Sequence, residues 1–137
     1  MARFEVVDHT ADIGLIAYGS TLEEVFVNAA YGMFSLIAEL DQVEERIHRE
    51  IETEAPDQGE LLVTWLNELL YFFDAESLLF RRFEILRLDR TWLEARAFGE
   101  RVDPSRHKVK TAVKAATYHL LKLEEGDGLR AQIIFDV

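Results

Sequence analysis

Cysteine does not occur in this chain. Its absence excludes disulfides, thiolate zinc sites and cysteine nucleophiles, and is compatible with a reducing cytosol. Proline occurs only at Pro56 and Pro104, each between periodic segments, so the prolines punctuate elements and not domains. No apolar stretch approaches the run of about 20 residues that a membrane span needs. The opening Met1 to His9 has no apolar core of a secretory signal, so a soluble protein is expected. Internal repeats, low-complexity tracts, P-loops, dinucleotide-binding glycine motifs and catalytic triads are also missing. Positive charge is scarce: 15 Lys and Arg stand against 26 Asp and Glu, for a formal net charge of −11. Such a surface repels phosphate backbones and favours basic partners, which disfavours direct RNA binding. The run from Arg101 to Lys110 is the basic candidate for touching nucleic acid, although such loops are more often merely solvated.

What is present is regular apolar patterning. A chain of 137 residues, 49% hydrophobic and 30% charged, suits one globular domain spanning residues 1–137. Residues 3–7 and 13–18 read as short strands around the polar bend Asp8-His9-Thr10-Ala11-Asp12. Thr21, with Glu24 three residues later, forms a capping box, and Leu22, Val25, Phe26, Ala29, Met33, Phe34 and Ile37 follow at helical spacing. β-branched residues at even spacing in 43–54 predict a strand with a wet outer face. Asp57 opens a second helix with the stripe Leu61, Leu62, Trp65, Leu66, Leu69, Leu70 and Phe73. Extended segments are expected at 80–88, 91–98 and 111–123. The last of these also suits a helix, but the glycine-rich turn at 124–128 requires an antiparallel partner for the alternating residues 129–135. These elements predict an α+β domain, a mostly antiparallel β-sheet with two amphipathic helices packed on one face.

Three groups of residues carry possible chemistry. Asp8, His9 and Asp12 lie within five residues; they can bind a metal, or form a polar turn in which Asp8 accepts backbone hydrogen bonds. Asp136 and the α-carboxylate of Val137 sit directly after an apolar strand. If that strand ends beside Asp12, three carboxylates converge and need a cation or shared protons to coexist. Oxygen ligands alone favour Ca2+, Mg2+ or Mn2+. Otherwise the last strand merely completes the sheet. The third group is Gly99-Glu100, Asp103, His107 and the segment Lys114 to His119. Lys114, among small apolar residues, can neutralise a carboxylate cluster or hold a phosphate; it can equally snorkel to the surface. His9, His48 and His119 share no metal-ligand spacing, which argues against a histidine zinc site.

These blocks resemble the archease family. They are Asp8-His9-Thr10-Ala11-Asp12, Trp65 to Tyr71 with Phe73-Asp74, Gly99-Glu100, Asp103, His107, Lys114-Ala115, Thr117-Tyr118-His119 and the closing Phe135-Asp136-Val137. They fall in the family's order and spacing over nearly the whole chain. The resemblance implies a two-helix, β-rich fold and a partner, an RtcB-type RNA ligase. That ligase guanylylates its own active-site histidine and seals RNA ends in tRNA splicing and RNA repair. Archeases promote the guanylylation and multiple turnover and are not themselves enzymes. The resemblance further implies a metal site made by Asp12, Asp136 and Val137, with Lys114 tied to activity. Asp8 and His9 match the motif, and their direct ligation stays open. Ca2+ is the ion expected on the isolated protein, with Mg2+ or Mn2+ as alternatives in function. A cytoplasmic setting, no membrane and no direct nucleic-acid contact go with this reading. Two other readings stay open: a chaperone or modulator of an RNA-modifying enzyme such as a tRNA methyltransferase, and a stand-alone metal hydrolase.

Overall fold

A computed structural model describes residues 3–8 and 12–137. The chain begins with strands β1 (Phe4–Asp8) and β2 (Ile13–Gly19), paired antiparallel. Helix α1 (Leu22–Ile37) is capped as its sequence predicts. The Thr21 hydroxyl accepts the Glu24 N–H at 3.2 Å, and the Glu24 carboxylate reaches back to the Ser20 N–H at 3.0 Å. A 3-10 turn over Leu40–Gln42 follows, and strand β3 runs from Ile47 to Glu54. It starts later than the apolar pattern predicts because Val43 buries its side chain in the core without joining a ladder. Helix α2 (Gln58–Glu76) is capped by Asp57, which accepts the Glu60 N–H at 2.9 Å. The remaining strands are β4 (Leu78–Leu88), β5 (Trp92–Arg101), β6 (Ala115–Gly126) and β7 (Gly128–Asp136).

The α+β class with two amphipathic helices on antiparallel strands is what forms, and the strands divide into two sheets. One has the order β1-β2-β7-β6 and the other β3-β5-β4. Each helix packs against strands of both sheets. The cause is visible in α1, whose buried residues Val25, Phe26, Ala29, Ala30, Met33, Phe34 and Ile37 cover too wide an arc for one sheet to shelter. Trp65 joins the helices: fully buried, it donates its indole N–H to the Phe26 carbonyl at 3.0 Å. Phe83 meets the Trp65 ring edge to face, and Phe34 packs edge to face on Phe80 and tilted on Phe83. In the second sheet β4 passes so close to β5 that a Cβ on Gly99 would lie 1.8 Å from the Leu79 carbonyl oxygen.

Strand β6 begins at Ala115 and not at residue 111, since its first rung with β7 is Ala115 against Asp136. Its pairing is broken between Thr117 and Lys122, where a wide bulge holds Leu120 at φ 53°. The β6–β7 hairpin turns where expected, with Gly128 at φ 92°.

Candidate functional site

Strand register brings distant residues to one end of the four-stranded sheet. Ile13 is the cross-strand partner of Phe135. Asp12 precedes the one and Asp136 follows the other, so both flank the same terminal rung. Leu15, Ala17, Ile133 and Phe135 belong to the helix-facing core. By strand alternation Asp12 and Asp136 therefore share the opposite, outward face with Gly14 and Ile134. On the other side of β7, Ala115 stands opposite Asp136, and the Lys114 N–H donates to the Asp136 carbonyl at 2.8 Å. Asp8 closes β1 opposite Ile13. Asp8, Asp12, Lys114 and Asp136, separated in sequence, thus meet at one sheet end. His9 lies outside the described residues.

Two carboxylates flanking one rung repel each other unless a cation or a proton intervenes. Asp136, Val137 and Lys114 are solvent-exposed, and Asp12 is half-buried. Among the described residues no group of three or more His, Asp or Glu side chains is arranged to hold a metal. The side chains of Asp12 and Asp136 alone would leave an ion under-coordinated. A main-chain oxygen of Val137, next to Asp136, is a donor of the matching hard type. The donor chemistry therefore fits an oxygen-ligated divalent ion, with solvent or a partner completing the shell.

The Glu100 group is a different kind of feature. Glu100 and His107 are the buried polar residues of the described chain, at 4% and 5% exposure. One Glu100 oxygen meets the Arg106 guanidinium at 2.5 Å. The other accepts the Glu44 N–H at 2.6 Å and lies 3.2 Å from His107 Nε2. Asp103 donates its N–H to His107 Nδ1 at 2.8 Å, which puts the ring proton on Nε2, facing the Gln42 carbonyl at 2.9 Å and Glu100. Burial pushes the Glu100 carboxyl up, but the Arg106 hydrogen bond, the Glu44 N–H and the Arg106 charge outweigh it and hold the value below normal. This network pins the 102–114 loop to the 3-10 turn. A shallow depression of about 500 Å3 lies above it, lined in part by Arg46, Arg101 and Arg106. Those guanidiniums are paired with Glu44, Glu76 and Glu100, so the depression offers little uncompensated positive charge to a phosphate.

A residue that the sequence pattern did not single out lies beneath the sheet end. Asn67, on the α2 face toward β6, accepts the Ala116 N–H at 2.8 Å and donates to the Ala116 carbonyl at 3.1 Å.

Comparison with known proteins settles the family. The model described as Archease protein family (MTH1598/TM1083) matches residues 4–137. The chain belongs to the archease family. It is 43% identical to the protein archease of Pyrococcus abyssi, with all of both chains covered, and 39% identical to that of Methanosarcina mazei over 98% of this chain and 96% of that one. The solution structure of Methanobacterium thermoautotrophicum protein 1598 superposes with a TM-score of 0.86 at 38% identity, covering both chains fully. The crystal structure of an archease and possible chaperone from Thermotoga maritima shares the fold, with a TM-score of 0.62 at 23% identity over 96% of this chain and 94% of that one. Among the described residues of this archease, no helix is long and apolar enough to cross a membrane.

Proposed function

We propose that this archease is a metal-binding, non-catalytic activator of an RtcB-type RNA ligase, promoting guanylylation of the ligase and its multiple turnover in tRNA splicing and RNA repair. The observation that carries the reading is the β2–β7–β6 register, which gathers Asp12, Asp136 and Lys114 at one exposed sheet end. Asp12, Asp136 and a main-chain oxygen of Val137 would hold a divalent ion there, Ca2+ in the isolated protein and Mg2+ or Mn2+ in function. A bound ion would supply compensation for charge developing on a transferring phosphoryl group. Lys114, anchored through its own N–H to Asp136, brings a positive charge to the same end. Asp8 closes the neighbouring strand there, and the reading gives His9 the same supporting place from its position in the motif.

The exposed surface is consistent with a macromolecular partner. Val6, Val7, Tyr118, Leu120 and Val137 remain 40–57% exposed, and all belong to the four-stranded sheet or directly follow it. Exposed apolar groups beside a charged site suit docking more than capture of a small molecule. The net charge of −11 favours a basic partner surface over RNA. The reading places the protein in the cytoplasm beside its ligase.

The deciding experiment measures guanylylation of the same organism's ligase with wild-type protein, Asp12→Ala and Asp136→Ala. Stimulation by wild type and its loss in both variants is expected. No stimulation by the wild type, together with co-purification of a tRNA-modifying enzyme, would favour a chaperone or modulator role. Phosphoesterase activity of the isolated protein would favour a hydrolase.

A further inference from the structure

We infer that Asn67 is the positioning residue that sets Lys114 against Asp136. The inference deepens the proposed reading of this sheet end and rests on it for its functional consequence. Among the described residues, strand β6 is an edge of its sheet, with β7 as its neighbour. Before the bulge, its ladder with β7 consists of Ala115, Ala116 and Thr117 alone. The remainder of the hairpin is on the far side of an irregular stretch and cannot impose its register on so short a ladder.

Asn67 fills that gap. Its carboxamide carries an acceptor and a donor, and it spends both on one residue, Ala116, as a neighbouring strand would. Ala116 is 4% exposed, so water cannot replace these bonds readily. The helix thus supplies the outer rail of β6 at the place where the sheet has none. Two residues earlier, the Lys114 N–H meets the Asp136 carbonyl, a contact Asn67 does not itself make. An aspartate at position 67 would keep the shape but lose the donor, and would set a carboxylate against the Ala116 carbonyl.

The test uses amide hydrogen exchange and Ca2+ calorimetry on the full chain. Asn67→Ala and Asn67→Asp are compared with Val25→Ala, a core truncation at the start of α1, far from the Asp12 end of β2. Exchange at the Lys114 amide should accelerate by on the order of tenfold in both Asn67 variants, with the amides of Ala131 and Leu129 unaffected. Ca2+ affinity should fall roughly 10- to 100-fold, as on loss of an outer-shell support. Val25→Ala, although destabilised, should change neither. Wild-type protection at Lys114 in both Asn67 variants would overturn the inference. So would lost protection with undiminished Ca2+ affinity. Failure of the wild-type protein to bind Ca2+ would count against the proposed metal role, while the exchange comparison would still decide whether Asn67 sets this segment.

Discussion

Lys114 donates its main-chain N–H to Asp136 at 2.8 Å, and Asp136 flanks the same rung as Asp12. A cation and two anions are therefore held by three strands at one end of a sheet. Backbone pairing fixes the main-chain positions from which these charged side chains extend.

The Asp12–Asp136 pair predicts metal-linked stability. A divalent ion that binds only the folded form raises stability by mass action, by about 2.7 kcal/mol at a hundredfold excess over its Kd. Thermal melts of the wild type with and without Ca2+ should differ accordingly. Asp136→Asn should abolish most of that difference while leaving the metal-free melting temperature nearly unchanged, because like charges beside one rung contribute nothing favourable. An equal Ca2+-induced rise in both proteins would remove Asp136 from the site.

The Glu100 network predicts a pH signature of its own. Its carboxyl sits below the ordinary glutamate value in the folded protein. Its stabilisation is therefore fully present above the unfolded value and is lost as pH falls through the lowered folded one. Glu100→Gln should cost about 3 kcal/mol at neutral pH, since it leaves a buried polar network short of its charge. The difference from wild type should shrink below about pH 4. Urea unfolding at neutral and acidic pH measures it; a constant difference would assign the stability to packing instead.

Gly99 makes a purely structural prediction. A methyl group there would meet the Leu79 carbonyl oxygen at 1.8 Å, so β4 and β5 must separate. Gly99→Ala should destabilise by about 3–5 kcal/mol. Ca2+ affinity of the fraction that remains folded should be preserved, because this contact lies in the other sheet. Denaturant midpoints and calorimetry together check both halves.

Much of this was legible before folding. Thr21 and Asp57 announced both helix starts, since an N-cap is decided by a few adjacent residues. Alternation through Leu129, Ala131, Ile133 and Phe135 announced β7. The division into two sheets was not legible, because the same alternation serves either sheet and only the width of the apolar arc on α1 hinted at cover from two sides. The start of β6 is not legible in the pattern from residue 111, because strand ends depend on the partner, here Asp136. Asp12 and Asp136 stand out by chemistry and resemblance, and register brings them to one sheet end. Glu100 and His107 read as possible chemistry, yet burial and internal hydrogen bonds make them a structural pin. Asn67 escaped because a bond to another element's backbone has no local pattern.

Val137 separates side-chain from main-chain chemistry at the site. Its side chain is apolar and 40% exposed, so it neither ligates a hard ion nor anchors the core. The proposed ligand is a main-chain oxygen, which any residue at this position would carry. Val137→Ile and Val137→Thr should therefore keep Ca2+ affinity within about twofold and leave the melting temperature within about 1 °C, as exposed substitutions do. Asp136→Asn, one residue earlier, should lose affinity by at least an order of magnitude, since it removes a charged oxygen donor. Calorimetric titration of the three variants against wild type makes the comparison. A loss at Val137→Thr as large as that at Asp136→Asn would mean that the valine side chain shapes the site, and the main-chain assignment would fall.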